Sequence, residues 1–439
     1  MRAGQGLLFL VVALLVIGTV MVNSASLTST NGEGVSLFDL LLGRNTWFAL
    51  AAIAALWMGT RVSVERVFSL RGLSSPIPWI VVVMFLGLVL VHVPGIGREV
   101  NGARRWITIG PIGLQPSELV KWGMPVVIAW HCCRRAGGLG TFWKGFIPPL
   151  LFVSFFAGLV ALQDLGTAVL IEIIAIAMLI AAGARFWHAL MLLPAACVAV
   201  GALIITSPYR VNRILAYMDP FADAQGKGYH IIQSMAAITG GGLPGRGLGN
   251  GVQKFGYLPE STTDFIYAIV CEELGIGGAI GVLAIFVLLA VSGLAIATAT
   301  AKVKENDGKI KVFSLVTNYE SLIAMGFTLT VTMQALINAA VVTGLAPTKG
   351  IALPLISRGG TGWILTAFSL GMVASIATAS DRRRKMLESA GKLVDTVKPS
   401  GNLGGNLGGN LGGTLGGTLG ANLGAGSGAG AATANSASA

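Results

Sequence analysis

Acidic side chains are scarce: 19 Asp and Glu stand against 30 Lys and Arg, and charged residues make up only 11% of the 439 positions. A typical soluble domain is about 25% charged, so this chain cannot furnish an ordinary water-facing surface. Cysteine and histidine are equally thin, four of each. Cys132, Cys133, Cys197 and Cys271 show no CxxC spacing, which removes a disulfide framework or a zinc ribbon from consideration. His92, His131, His188 and His230 are scattered and form no ligand pattern. A dinucleotide-binding fold is also excluded: the glycine-crowded stretch 238–260 has no preceding strand and no βαβ context.

What remains is apolar. Hydrophobic residues account for 54% of the chain, mean hydropathy is +0.76, and apolar runs of about 18 or more residues recur, the mark of membrane spans. The runs predict an all-α integral membrane protein with about ten transmembrane helices, near 6–24, 45–60, 76–94, 117–133, 146–162, 166–183, 188–207, 274–300, 318–340 and 360–379. Lys and Arg orient them. Arg2, then Arg61, Arg66 and Arg71, Arg134, Arg135 and Lys144, Arg185, Lys302 to Lys311, and Arg382 to Lys385 fall on one side, while the opposite loop 25–43 has none. By the positive-inside rule both termini are cytoplasmic. A cleaved signal peptide ending near "SAS" (24–26) is the competing reading of the first run, but cleavage would spoil the charge alternation. The polytopic region is expected over 1–380, with a large extracytoplasmic loop, about 208–273, between spans seven and eight. A basic segment and a Gly/Asn/Leu-rich tail follow over 381–439; so much glycine makes ordering entropically costly, so disorder is expected there.

Positive-inside makes the outer cations informative. Arg98, Arg104, Arg105 and Lys121 belong to "GIGREVNGARRWITIGPIGLQPSELVK" (95–121), Arg210, Arg213, Lys227, Arg246 and Lys254 to the long loop, and Lys349 and Arg358 to "TGLAPTKGIALPLISRGG" (343–360). Singly, each is explained by a local acid or by snorkelling; as a set they point to a bound anion, phosphate or diphosphate, which suits arginine's planar fork. Pro116 reads as the first residue of the fourth span, so that Glu118 and Lys121 share a helical face near its start. Trp106 is either an interfacial anchor or a surface on which a sugar stacks. Asp164 sits in a short turn and Glu172 deeper in the sixth span.

The carboxylates concentrate in "YLPESTTDFIYAIVCEELG" (257–275). Read as a helix started by Pro259, this stretch puts Glu260, Asp264 and Glu272 on one stripe. First-turn acids favouring the helix dipole account for Glu260, but not for an acid one turn on at an apolar boundary, so Asp264 is the candidate general base.

These motifs resemble the SEDS family (shape, elongation, division and sporulation). The resemblance runs in order from about residue 16 to 380, through "GTVMVNSAS", "NGARRWITIGPIGLQPSELVK", "DLGTAVLI", "DPFADAQGKGYHIIQSMAAITGGGLPGRGLGNGVQKFGYLPESTTDFIYAIVCEELG" and "LAPTKGIALPLISRGG". "PTKG" (347–350) is more similar to the family's division branch, FtsW, than to its elongation branch, RodA. The chain departs from the family pattern at Asn23, Gln163, Thr262, Arg358 and Gly362-Trp363. The resemblance implies a peptidoglycan glycosyltransferase of the cytoplasmic (inner) membrane, multi-pass, polymerising lipid II (a disaccharide-pentapeptide on undecaprenyl pyrophosphate) at the outer face. The implied partners are lipid II, a class B penicillin-binding protein, divisome or elongasome proteins and membrane lipids, with no nucleic acid. It puts the family's essential aspartate on Asp264, its loop pair on Arg105 and Trp106, and its helix-start acid and lysine on Glu118 and Lys121. Asp164, Ser234, Arg246, Lys254, Glu260, Lys349 and Ser357 complete the expected substrate-binding set. A divalent cation, Mg²⁺ or Mn²⁺, is the cofactor considered, with no organic cofactor. A lipid-linked precursor flippase and a non-catalytic scaffold for the transpeptidase are the alternative functions.

Overall fold

The computed structural model describes residues 3–26, 44–70, 72–100, 103–109, 112–135, 138–301 and 318–397. The expected loop 25–43, the lysine-bearing connection 302–311 and the glycine-rich tail therefore lie wholly or almost wholly outside the described residues. Each of the ten apolar runs coincides with a helix: α1 (Ala3–Ser26), α2 (Arg44–Arg61), α4 (Pro76–Leu90), α5 (Pro116–Arg134), α6 (Ile147–Ala161), α7 (Leu165–Ala181), α8 (Phe186–Ile205), α11 (Ile266–Thr300), α12 (Tyr319–Val342) and α13 (Thr361–Val397). Three shorter helices lie between them, α3 (Val64–Ser69), α9 (Pro208–Met218) and α10 (Tyr229–Gly241). Among the described residues six helices are long and apolar enough to cross a membrane by length and composition, counting α6 with the π turn Phe142–Phe146 before it, and α4 and α7 are shorter apolar helices. Helix α5 falls short on composition because it carries Glu118, Lys121, His131 and Arg134 within 19 residues.

Burial ranks these helices. In α12, 67% of the most apolar window is buried inside the protein, against 6% in α8. Helix α12 is thus the central post, and α8 presents Trp187, Met191, Val198 and Ile205 outward, as a helix bathed in lipid does. Leu322, Ile323, Phe327 and Val331 of α12 pack into one continuous core with Leu7, Val11, Met124, Ile171, Met178 and Leu289. Helix starts are capped where charge is scarce. Asp164 caps α7 through Thr167, whose backbone NH (3.1 Å) and hydroxyl (2.7 Å) both donate to the carboxylate, and Asn318 accepts from the Ser321 NH (2.9 Å) at the start of α12.

Two features were not legible as helix. Three strands, β1 (Gly97–Val100), β2 (Ala103–Ile109) and β3 (Ile112–Leu114), form an antiparallel sheet, with Arg98 opposite Trp106 and Ile107 opposite Leu114. Second, α11 is two helices merged at Gly275, whose φ of 66° and ψ of −169° break the spiral. The expected span 274–300 is the part beyond that break. No helix begins at Pro259: residues 259–265 are turns, Glu260 has φ 56°, and the expected helical stripe of Glu260, Asp264 and Glu272 does not exist. The chain divides by contact into Met1–Arg384 and a separate unit from Lys385 onward, of which the end of α13 is described.

Candidate functional site

A cavity of about 740 Å³ opens where the sheet, three helix starts and two loops converge. Strand β2 contributes Arg105 and Trp106, the first turn of α5 contributes Glu118 and Lys121, and the first turn of α7 contributes Asp164 and Thr167. The loop before α11 adds Glu260, Thr263 and Asp264, while the loop before α13 adds Gly350 to Leu353, Ser357 and Arg358. Of the residues expected from the sequence, Asp264, Arg105, Trp106, Glu118, Lys121, Asp164, Glu260 and Ser357 therefore share one wall system.

Asp264 and Arg105 meet across Gly350. A methyl group placed on Gly350 would lie 3.4 Å from Asp264 Oδ2 and 3.7 Å from Arg105 Nη1, so the lack of a side chain there keeps the gap between base and guanidinium open. Burial pushes the Asp264 carboxyl up to about 7; Glu260 and Asp164 push the same way, and Arg213 and Arg105 only partly offset them. A carboxyl that changes state near neutrality is tuned for proton transfer at physiological pH. Arg105 Nε is buried and has no hydrogen-bond partner among the described residues. Buried donors are almost always paired, so this one is open to a further acceptor.

The backbone around Asp264 is held by amides that carry no charge. Asn338 Nδ2 donates to the backbone carbonyls of Asp264 (2.8 Å) and Ile351 (2.7 Å). One turn earlier, Gln334 Nε2 donates to Ala352 O (2.7 Å) while its Oε1 accepts from Lys121 Nζ (2.8 Å). Lys121 in turn binds Glu118 at 2.6 Å, and Trp122 Nε1 donates to the other Glu118 oxygen at 3.3 Å. Ser357 Oγ donates to Thr263 O (2.6 Å) and accepts from Leu353 NH (2.6 Å). Gln334 and Asn338 escaped sequence reasoning; their spacing of four on the most buried apolar helix was the available signal.

Three expected substrate-binding residues lie elsewhere. Lys254 is buried against Glu273 at 2.8 Å and donates to Ser24. Arg246 lies 3.7 Å from Glu272 and donates to Gly240 O. Ser234 donates to Val342 O at 2.7 Å, inside the packing between α10 and α12. Arg246, 40% exposed, is tied only through its Nε among the described residues, whereas Lys254 and Ser234 are spent on structural partners. The same holds for Arg210, whose guanidinium caps carbonyls at Ala161 and Leu203. Lys349 is half-buried beside the cavity rather than in its wall, its ammonium pushed down by burial while Asp164 pulls the other way.

Glu272 and Glu273, both 1% exposed, form a latch rather than a site. Glu272 accepts from the NH groups of Val252 (2.8 Å) and Gln253 (3.2 Å). Glu273 accepts from Gly249 NH (3.1 Å), Ser24 Oγ (2.8 Å) and Lys254. Together they fold the glycine loop onto the start of α11. Gly245 and Gly275 touch backbone to backbone there: a methyl on Gly275 would come within 2.4 Å of Gly245 N.

The family model of the FtsW/RodA/SpoVE cell cycle proteins matches residues 5–382. The chain is 36% identical over 366 residues to the probable peptidoglycan glycosyltransferase FtsW of Coxiella burnetii, covering 83% of this chain and 93% of that one. It is 37% identical over 382 residues to the protein of the same name from Alkalilimnicola ehrlichii, covering 85% and 90%. Among solved structures it is similar to a chain of a peptidoglycan synthase complex that coordinates polymerization and crosslinking, with TM-score 0.64, 28% identity and coverage of 86% and 98%. The fold also matches the rod shape determining protein RodA of Thermus thermophilus, with TM-score 0.56, 24% identity and coverage of 85% and 96%.

Proposed function

The chain belongs to the FtsW/RodA/SpoVE family of cell cycle proteins, and from that membership we propose that its cavity polymerises lipid II into β-1,4 glycan strands at the outer face of the cytoplasmic membrane during division. The activity is peptidoglycan glycosyl transfer. One observation carries the assignment of the site: a carboxyl poised at about 7, Asp264, stands across a one-residue gap from a guanidinium with an unused buried donor, Arg105.

The mechanism is a single displacement. Ionised Asp264 takes the proton from the sugar 4-hydroxyl of the acceptor as that oxygen attacks the anomeric carbon of the donor, and the lipid-linked diphosphate leaves from the opposite face. The α linkage of the donor becomes β, as in inverting glycosidases, where a base works on the side away from the leaving group. Arg105 holds the diphosphate, the Lys121 ammonium, itself tied to Glu118 and Gln334, adds its charge to that wall, and the leaving group then needs no separate general acid. Among the described residues no three His, Cys, Asp or Glu side chains converge to hold a metal by themselves. Mg²⁺ is commonly bound by one or two carboxylates plus substrate phosphates; Glu260 and Asp164, whose charges both raise the Asp264 carboxyl, are the residues that would hold such an ion, and it would supply positive charge to the diphosphate.

Read as ten spans with both termini in the cytoplasm, the chain carries the cavity at its outer surface. A class B penicillin-binding protein is the expected partner, in keeping with the similar chain found in a complex that couples polymerization to crosslinking. The test is to add the purified protein, with and without that transpeptidase, to vesicles holding labelled lipid II. Glycan strands support the reading; lipid moved between leaflets without polymer would make the protein a flippase, and neither product would leave it a scaffold.

A further inference from the structure

A side pocket of about 300 Å³ adjoins the main cavity and shares with it Trp106, Glu260, Thr263, Arg358, Gly359 and Trp363. Asp264, Arg105 and Lys121 do not line it. Its own walls come from Asn45 and Phe48 of α2 and from Thr262 and Gly360. The wall is built rather than incidental. Arg358 is pinned by its backbone NH to Thr262 O at 2.8 Å, and Trp363 by its indole NH to Ser357 O at 2.6 Å. The two glycines after Arg358 let rings close in: a methyl on Gly359 would lie 3.1 Å from Trp363 Cδ1, and one on Gly360 3.7 Å from the Phe48 ring. Asn45 is oriented by donating to Asn23 Oδ1 at 2.9 Å.

Arg358 is exposed into this space, and no hydrogen bond or ion pair engages its guanidinium among the described residues. We propose that the side pocket is a specificity subsite in which Arg358 binds a carboxylate on the peptide branch of the lipid-linked disaccharide, with Trp363 and Phe48 covering the adjoining apolar part. The inference rests on the polymerase reading above. In that reading the sugar hydroxyl and the diphosphate are already served by Asp264, Arg105 and Lys121, so the substrate's remaining anions are the carboxylates of its peptide. Arginine pairs with a carboxylate through two parallel bonds. Glu260, the other charged group of the pocket, accepts from Thr263 Oγ1 at 2.6 Å. Its negative charge disfavours a diphosphate beside it more than a single carboxylate. At about 300 Å³, the low end for small-molecule sites, the pocket suits the end of one branch rather than a whole disaccharide.

The test compares two lipid-linked substrates that differ only in whether the side-chain carboxylate of the peptide is free or converted to its amide. The wild type is expected to favour the free acid in kcat/KM by roughly tenfold, the size of a charge-assisted hydrogen bond, with the difference in KM. Arg358→Gln should erase that preference and Arg358→Lys should keep part of it. Equal kcat/KM for both substrates in the wild type, or an equal loss on both in Arg358→Gln, overturns the proposal, the second result assigning Arg358 to the diphosphate or to the fold. Neither outcome touches the assignment of Asp264, which stands or falls on polymerisation by its own variants.

Discussion

Residues 260–273 hold two pairs of acids that look alike in the sequence and do opposite work. Glu260 and Asp264 stand in turns at the cavity, where Asp264 is half-buried near other acids and its carboxyl is raised to about 7. Glu272 and Glu273 sit eight and nine residues beyond Asp264 in a helix, with backbone amides, Ser24 and Lys254 filling their oxygens. A carboxylate whose lone pairs are all engaged is part of the scaffold. One that is desolvated without a dedicated cation is available for chemistry. The contrast lies in satisfaction and in burial, not in residue type: Glu272 and Glu273 are 1% exposed, whereas Asp264 is half-buried and Glu260 exposed.

The largest way to break this contrast is to remove the poised acid. Asp264→Ala should lower lipid II polymerisation by about 10²–10⁴-fold, the usual worth of general-base catalysis, while membrane insertion and thermal stability in detergent stay at wild-type values. A correctly folded Asp264→Ala protein that makes strands at the normal rate would sink the assignment. The latch should respond the other way round. Glu273→Ala leaves Lys254 buried and unpaired, a loss of about 3–5 kcal/mol, to be read as a lowered melting temperature and as faster proteolysis within 242–254. If instead Glu273→Ala melts normally and only its rate falls, the latch belongs to the active site.

A smaller effect sharpens the comparison by testing position instead of charge. Asn338→Ala removes two hydrogen bonds to carbonyls of the cavity wall, each worth about 1 kcal/mol. It should cut kcat by roughly tenfold with KM little changed, because Asp264 remains but wanders. The finest test is pH. Because the Asp264 carboxyl is raised to about 7, it is protonated and idle below that value, and polymerisation should rise with pH through neutrality to a plateau. Glu260 is one of the charges holding it up, so Glu260→Gln should move the rising limb to lower pH. A limb that stays put, or moves upward, would separate the rate from Asp264 ionisation.

Most of the helical frame was legible because apolar runs of membrane length leave few alternatives, and Asp264 was legible as an acid at an apolar boundary. The side-chain partnerships were not. Assuming a helix from Pro259 put Glu272 on the wrong stripe, since nothing local announces the positive φ at Glu260 or the delay of α11 to Ile266. Arg246 and Lys254 looked like anion-binding cations until the latch acids appeared beside them, and Ser24, some 230 positions away in sequence, completes that cluster. Gln334 and Asn338 passed unnoticed because uncharged amides inside an apolar helix disturb neither hydropathy nor charge counts.

The amide ladder on α12 has a mechanical meaning. Since Gln334 and Asn338 grip the carbonyls of Ala352, Ile351 and Asp264, that helix is a pushrod whose far end lies deep among its neighbours. Sliding it by a single residue's rise, about 1.5 Å, drags both outer loops in register. The two loops that face each other across the cavity are thus held at a spacing set by one turn of a single helix.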